Sequence, residues 1–293
     1  MCIRDSNLPT SLLWEISGNE LETPSYLYGT IHMIGKDDFI LTDATKAALA
    51  KTDKITYEIN MEDMNSIGVI FTMIGKVMMK NGVTLQSLLS KEDYKLVVEH
   101  FEKMGLPMMM LEKIKPMFLT VFASDDMATM QSDMQTGGMV SYEMELMEIA
   151  EEQEKEMDGL ETVEFQMSVF DSIPYEAQAK MLVESLKAED SGEDEFDMMV
   201  KMYKDQDING MVSMISEDGE GMQNYEQVLL TNRNLKWIPI MSDMMKEQAT
   251  FFAVGAGHLG GKKGVVNLLM EAGYDVKPID EGKTLDDLVK EKK

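Results

Sequence analysis

Two tetrads with the pattern Gly-x-x-His stand near opposite ends of the chain, at residues 29–32 and 255–258. Each follows a short apolar run that is typical of a strand, 26–28 before the first tetrad and 251–254 before the second. In open α/β sheets, ligands bind outside the carboxyl ends of the strands. The repeated pattern therefore predicts that each imidazole stands at the carboxyl end of a strand, where two histidines favour a metal or acid/base site.

Length and charge limit the class of protein. The chain has 293 residues, of which 44% are hydrophobic, so it can bury a substantial core. Its net charge is −26, from 53 acidic against 27 basic residues. Phosphate binding depends on clustered Lys and Arg, so this balance argues against nucleic acid or an anionic membrane as a partner. A basic peptide or a cation suits the charge better.

The cysteine count and the hydropathy of the chain exclude further classes of protein and of metal site. Cys2 is the one cysteine, so the chain can form neither a disulfide framework nor a cysteine-based zinc site. No run approaches the roughly 20 apolar residues of a membrane span, so we expect none in this chain. Residues 1–7 fit neither a signal peptide nor a folding pattern, and we expect them to be a non-native or disordered leader.

Hydrophobic periodicity places strands towards both ends of the chain and helices between them. The spacing from about 64 to 156 is helical, with Pro107 and Pro116 dividing the helices. These patterns predict an α/β (α+β-like) fold whose sheet is built from both chain ends, with a large helical insert at about 64–156. The other predicted elements are a hairpin of strands 12–17 and 26–32, helix 41–51 capped by Thr42 or Asp43, strand 54–60, a strand-like stretch near 160–163, further helix to about 245, and a βαβ unit of strand 250–254, helix 264–272 and strand 275–279.

Glu58 is the carboxylate best placed to join the two tetrad histidines. It lies on the polar face of the predicted strand 54–60, close to the end of that strand. Neutral imidazole is the commonest protein ligand for a transition metal, and glycine three residues earlier lets a substrate approach closely. His32, Glu58 and His258 are therefore the predicted metal-binding and catalytic residues, in a two-histidine, one-carboxylate set with open positions for water. The alternative is that each histidine is an ordinary core residue.

The second tetrad also matches a dinucleotide fingerprint. Gly255, Gly257 and Gly260 have the spacing of G-x-G-x-x-G and follow a predicted strand. However, one βαβ unit alone remains before the end of the sequence, whereas a mononucleotide-binding half needs βαβαβ. His258 would also crowd the pyrophosphate turn. We therefore predict no dinucleotide cofactor.

Other polar and sulfur-containing residues have several interpretations. Glu161 and Arg233 are candidates for supporting the metal ligands or for binding substrate, while helix caps or surface ion pairs explain them equally well. The 31 methionines are compatible with copper or a peptide groove, but their helical spacing favours core filling. His100 lies in a charged helix, and we expect it on the surface.

Seven segments together resemble the TraB/PrgY/GumN family, which includes the Tiki metalloproteases. The resemblance extends from residue 12 to about 279, and the segments have the order and spacing of the family. The paired Gly-x-x-His motifs of the family fall on the two tetrads, and its acidic residue falls on Glu58. Where the family commonly has a second acid two residues later, this chain has Asn60. The segments are 13–18, 26–32, 57–59, 159–162, 170–174, 232–234 and 253–259.

The resemblance implies a fold related to erythromycin esterase and to ChaN-like haem-uptake proteins, in one domain at 8–293. It implies a divalent metal ion, manganese, cobalt or zinc, and hydrolysis of peptide bonds as in Tiki proteins. We expect Glu58 either to complete the metal shell or to act as general base. The alternative function is non-enzymatic capture of a peptide or a haem-like ligand over a Met-rich helical face. Similar sequences begin with a secretory leader, so we expect an exported bacterial protein, with a cytoplasmic one as the alternative.

Overall fold

A computed structural model of the chain describes residues 8–60, 66–120, 138–189, 195–217 and 225–280. The described residues form two compact units. The sheet unit contains 8–60, 139–162, 196–217 and 225–280, and the helical unit contains 66–120 and 163–189. The predicted insert and the helical unit thus begin close to the same residue, but 139–156 belong to the sheet unit. The expected leader at 1–7 and residues 121–137 of the predicted insert lie outside the described residues.

The main sheet has six strands in the order β6-β4-β7-β2-β1-β8. The pairs β2–β7, β4–β7 and β4–β6 are parallel, whereas β1 pairs antiparallel with both β2 and β8. β3 and β5 form a separate antiparallel pair. The strands are β1 (Leu13–Ser17), β2 (Ser25–Thr30), β3 (Ile34–Gly35), β4 (Lys54–Ile59), β5 (Met139–Val140), β6 (Glu156–Glu161), β7 (Thr250–Gly255) and β8 (Asp275–Pro278).

This topology confirms the predicted mixed α/β fold and the predicted hairpin of β1 and β2. The last strand behaves differently from the expected βαβ unit in one respect. β8 follows β7 through a helix, but it pairs with β1, so two strands separate it from β7. β2 is buried along its whole length and β7 along all but its last residue, which is the pattern of central strands covered on both faces.

The helices divide between the two units. The sheet unit contains α1, α7 and α10 to α13, except that the first residue of α10 belongs to the helical unit. All other helices named below belong to the helical unit. Thr42 caps the first helix as predicted, because its Oγ1 accepts the Thr45 N–H at 3.1 Å. The helices are α1 (Asp43–Ala50), α2 (Ile67–Val77), α3 (Leu85–Leu88), α4 (Lys91–Lys103), α5 (Met108–Leu111), α6 (Pro116–Thr120), α7 (Tyr142–Glu152), α8 (Val163–Val169), α9 (Tyr175–Glu189), α10 (Glu195–Lys204), α11 (Ile208–Glu217), α12 (Asn232–Glu247) and α13 (Val265–Glu271).

Each unit has its own apolar core. Trp14, Tyr57, Trp237 and Phe251 are buried in the sheet unit, around the strands. In the helical unit the buried side chains include Leu85, Val97, Phe101 and Leu182, and the same unit buries Lys115 as an ion pair with Asp171. His100, expected on the surface of α4, is half-buried. None of the helices in the described ranges is long and apolar enough to cross a membrane.

The two tetrads come into direct contact across the β2–β7 pair. Gly29 lies in β2, and a Cβ added there would be 3.0 Å from both Ala256 Cβ and Leu259 Cδ2. Ala256 opens the 3-10 turn Ala256–His258, which carries the second tetrad histidine. The missing side chain of Gly29 therefore lets this turn pack against β2, as the glycine of a close-approach motif should.

We expect Gly29→Ala to destabilise the protein by about 1–3 kcal/mol, because the added methyl group overpacks a buried contact. Gly75→Ala is the matched control, since a Cβ at Gly75 in α2 meets no atom within 4 Å. An alanine in an exposed helix should stabilise by about 0.5–1 kcal/mol. Chemical denaturation of both variants measures the difference, and equal stability of Gly29→Ala and wild type would contradict the close packing.

Candidate functional site

Parallel strands bring several polar side chains to one edge of the sheet. Glu58 lies near the carboxyl end of β4, Glu161 ends β6, and His258 follows β7 in its 3-10 turn. Arg233 and Asn234 enter the same region from the first turn of α12. We call these five side chains the edge cluster. All five side chains are buried or nearly so. The chemistry of each is therefore determined by its neighbours in the protein.

Glu58 is held by donors on both of its oxygens. Its Oε1 accepts the Gly255 N–H at 2.8 Å, and its Oε2 accepts Arg233 Nη2 at 2.5 Å. Burial opposes the charged form. It is outweighed by the interactions with His258, in the pH range where that imidazole is protonated, and with Arg233, and by the Gly255 N–H, so the pKa of Glu58 is lowered to about 2. Gly255 suits this position, because a Cβ would stand 3.2 Å from Glu58 Oε1 and one of the two would have to shift slightly.

Arg233 is the cation that joins the two buried carboxylates. Its Nε and Nη2 donate to Glu161 Oε1 at 3.0 and 2.7 Å, while Nη2 also reaches Glu58. Its Nη1 donates to the Leu229 carbonyl at 3.1 Å and lies 3.0 Å from His258 Nε2. Leu229 belongs to the π-helical turn Gln227–Thr231 that precedes α12. Such turns recur at functional sites, and this one supplies a carbonyl to the guanidinium.

His258 is a neutral imidazole with a defined tautomer. Its Nε2 faces the Arg233 guanidinium, which can only donate, so Nε2 accepts. The proton is therefore assigned to Nδ1, which donates to Asn234 Oδ1 at 2.6 Å. Burial lowers the pKa of His258 to about 3, and the charge of Arg233 adds to the effect although Glu58 opposes it. Asn234 is itself fixed by donating to the Lys263 carbonyl at 2.8 Å.

His32 has different surroundings. It lies two residues beyond β2, and its side chain is 79% exposed. Its Nδ1 lies 3.0 Å from Glu143 Oε1, which also accepts Thr30 Oγ1 at 2.9 Å. The hydrogen bond to Glu143 raises the pKa of His32 to about 9, against the opposing effect of desolvation. His32 is therefore a protonated partner of Glu143 at neutral pH.

The structure thus brings together two members of the predicted set. His258 Nε2 and Glu58 Oε1 are 3.7 Å apart, and the other two candidates, Glu161 and Arg233, contact one another in the same cluster. His32 stands at the neighbouring strand end, with its Nδ1 engaged by Glu143. Among the described residues, no group of three or more His, Cys, Asp or Glu side chains is arranged to hold a metal ion. The three-ligand set stays a prediction.

Three contributors were not assigned from the sequence. Asn234 orients His258, and Trp237 donates from Nε1 to Glu161 Oε2 at 3.1 Å. The spacing of Arg233 and Trp237, one helical turn apart, was a usable signal that α12 presents a buried face to the site. Glu143 gave no such signal, because it lies 111 residues from His32 in an acid-rich segment.

An apolar cleft of about 280 Å³ adjoins the edge cluster. We call it the methionine cleft, because methionines from a loop and two helices line it. One wall is formed by residues of both tetrads, and the other by side chains of α10 and α11. The lining residues are Thr30, Ile31, His32, Met33, Phe196, Met199, Tyr203, Met211, Met214, Gly255, Ala256 and Gly257.

Comparison with known proteins gives a family and a set of relatives. The model of the TraB/PrgY/gumN family matches residues 12–278. Metalloprotease TIKI1 of Danio rerio is 24% identical over 94% of this chain and 64% of its own length. The corresponding values are 23%, 94% and 64% for Metalloprotease TIKI1 of Homo sapiens, and 21%, 91% and 60% for Metalloprotease TIKI2 of Danio rerio. The chain thus spans somewhat less than two thirds of these relatives. No solved structure matches it significantly.

We expect Glu143→Gln to lower the pKa of His32 from about 9 towards the ordinary 6.5, because the charged acceptor is lost. The raised pKa means that the pair stabilises the fold below pH 6.5 and loses this effect as pH rises through about 9. The exposure of His32 keeps that contribution small. NMR titration of the imidazole Cε1–H measures the midpoint. Glu145→Gln, a neighbouring change in α7, is the control, and an unchanged midpoint in Glu143→Gln would refute the pairing.

Proposed function

Because the chain belongs to the TraB/PrgY/gumN family, we propose that it is a metal-dependent hydrolase that cleaves peptide bonds. The relatives named above are metalloproteases, and they cover nearly all of this chain. The observation that carries the proposal is the contact of an ionised Glu58 with a neutral His258 at the carboxyl edge of the sheet. Both groups are in the protonation states that a divalent cation requires.

The charge balance of the edge cluster supports a bound cation. Glu58 and Glu161 contribute two negative charges, since the oxygens named above accept hydrogen bonds from Arg233, Trp237 and a backbone N–H. Arg233 supplies one positive charge, and His258 is neutral. The formal charges of these four side chains therefore sum to −1 in a buried site, where net charge is costly. A divalent cation would more than neutralise it.

His258 and Glu58 fit a metal ion, and His32 would complete the set. Asn234 fixes the His258 ring with Nε2 as the acceptor, the arrangement that hydrogen bonds around metal-binding histidines usually impose. A metal ion and Arg233 Nη1 compete for the same Nε2 lone pair, while Arg233 Nε and Nη2 can keep the carboxylates. His32 must give up its proton to join them. When bound, a divalent cation supplies Lewis acidity and a nucleophilic water at neutral pH.

The surroundings of Glu58 favour a ligand role over that of general base. A general base works best when its pKa lies near the working pH, whereas the pKa of Glu58 is held at about 2. Both of its oxygens also accept hydrogen bonds, from Gly255 and Arg233. Glu58 thus provides fixed negative charge. Imidazole and carboxylate donors suit manganese, cobalt and zinc alike, so the metal has to be identified by measurement.

A non-enzymatic protein that captures a peptide is the second candidate. The methionine cleft favours it, because an apolar cavity can hold a ligand without any chemistry. Metal content and turnover separate the two functions, since only the hydrolase needs both. Export remains a further proposal that rests on the resemblance to secreted family members.

We expect chelator-treated protein to bind about one manganese, cobalt or zinc ion per chain and to cleave peptides only when it is loaded. His258→Ala should abolish bound metal, because it removes the buried ligand. His100→Ala, which changes the histidine of the helical unit, is the control and should keep metal and activity. Mass spectrometry gives both the metal content and the cleavage products of a peptide library. A wild type without metal, or cleavage that persists in the His32→Ala/His258→Ala variant, would overturn the hydrolase.

Glu58→Gln separates the two roles considered for this carboxylate. If Glu58 is a ligand, metal affinity should fall by more than the roughly 10–100-fold that the loss of an outer-shell partner costs. If it is a general base, metal should be retained while kcat falls. We expect the first result, because the pKa of Glu58 makes it a weak base. Glu156→Gln is the control, since it removes the same charge from an exposed side chain at the opposite end of β6.

A further inference from the structure

We propose that the methionine cleft receives one large apolar side chain of a peptide substrate, next to the bond that is cleaved. This inference rests on the proposed function, because it takes the bound peptide to be a substrate. The preference for an apolar side chain rests on the cleft itself. The cleft is lined by Gly255, whose N–H binds Glu58, so it lies beside the edge cluster. A side chain that fills it would contact His32 and residues 255–257.

The helical wall follows from the sequence of α10 and α11. Phe196, Met199 and Tyr203 have the spacing i, i+3, i+7, which places them on one face of α10. Met211 and Met214 are one turn apart on α11. Phe196 and Met199 are only partly buried although they pack against the core of the sheet unit. The face therefore has apolar area left for an occupant.

Two of the polar side chains that line the cleft already have partners within the protein. The Tyr203 hydroxyl donates to the Gly29 carbonyl at 3.0 Å, and Thr30 Oγ1 donates to Glu143. A polar side chain in the cleft would lose its water and find few new hydrogen bonds, which costs free energy. An apolar side chain would gain the transfer free energy of its buried surface. The cleft thus selects apolar occupants.

Phenylalanine is the best candidate among apolar residues. Its side chain is one of the largest apolar groups, so it gains much from burial in the cleft. Phe196 and Tyr203, which line the cleft, can also pack against its ring.

The size of the cleft suits a large apolar side chain. Its volume of about 280 Å³ lies just below the range of about 300–1,000 Å³ that is usual for small-molecule sites. A haem-like macrocycle would need a cavity with a volume well inside that range. The methionines of the wall are flexible, so leucine and methionine should also be accepted.

The position of the cleft relates it to the proposed hydrolysis at Glu58 and His258. Gly255 lines the cleft and donates its N–H to Glu58, and Gly257 precedes His258. With no side chains at these two positions, a substrate backbone can approach this wall closely. A side chain in the cleft would then hold its own peptide bond beside Glu58 and His258. This makes the cleft a specificity pocket for the residue adjoining the cleaved bond.

Blocked hexapeptides Ac-Ala-Ala-X-Ala-Ala-Ala-NH2, with X as Phe, Leu, Met, Ala, Glu or Lys, test the proposal. Calorimetry on chelator-treated wild type measures binding without turnover, and mass spectrometry on metal-loaded protein maps cleavage. We expect X = Phe to bind at least tenfold more tightly than X = Ala, and cleavage to occur beside X. Met199→Trp should fill the cleft and remove the preference, whereas Met198→Trp, an exposed position on the same helix, should keep it.

The outcomes distinguish this inference from the proposed function. A preference for Phe in binding that Met199→Trp abolishes, without any cleavage, would support the cleft and overturn the hydrolase. Cleavage with equal binding of all six peptides would support the hydrolase and overturn the cleft. A preference that survives Met199→Trp and is lost in Met198→Trp would place the apolar pocket elsewhere and also overturn the proposal.

Discussion

The parallel pairing of β2 with β7 is the constraint on which the rest of the site depends. These strands come from opposite ends of the sequence, and their pairing aligns Gly29 with Val254 and Thr30 with Gly255. Both tetrads therefore leave the sheet at the same edge. β4 pairs with the other side of β7, which brings Glu58 to the Gly255 N–H. A break in this ladder would separate the histidines and remove Glu58 from its donor at once.

Arg233 extends this constraint from the backbone to the side chains. Two carboxylates as close as Glu58 and Glu161 cannot both be buried and ionised without a cation between them. The guanidinium meets this need because its planar set of donors reaches both carboxylates and also the Leu229 carbonyl. It fixes the entry of α12 over the sheet edge. That helix then brings Asn234 to His258, so one buried cation determines both the charge and the tautomer of the cluster.

The sequence allowed most of the sheet and part of the site to be predicted. Period-2 alternation and apolar runs identify strands such as β4 and β7, and the tetrads place His32 and His258 at strand ends. The partner of His32 escaped prediction, because Glu143 is brought in by tertiary packing and lies in a stretch of acids that look equivalent in sequence. The segment 139–156 was assigned to the insert, since its helical spacing does not reveal which unit its apolar face packs on.

The same tetrad yields two histidines of opposite protonation. His258 is buried against a guanidinium, so its pKa falls to about 3, whereas His32 is exposed beside a carboxylate, so its pKa rises to about 9. The pattern Gly-x-x-His therefore specifies position, and the neighbours specify chemistry. Paired groups whose environments push their pKa values apart are typical of acid/base sites. It follows that His258 Nε2 is an acceptor at neutral pH, already engaged by Arg233 Nη1, while His32 holds a proton. A ring nitrogen that carries a proton cannot bind a metal ion. His32 can therefore become a metal ligand only after the nitrogen that binds the metal has lost its proton.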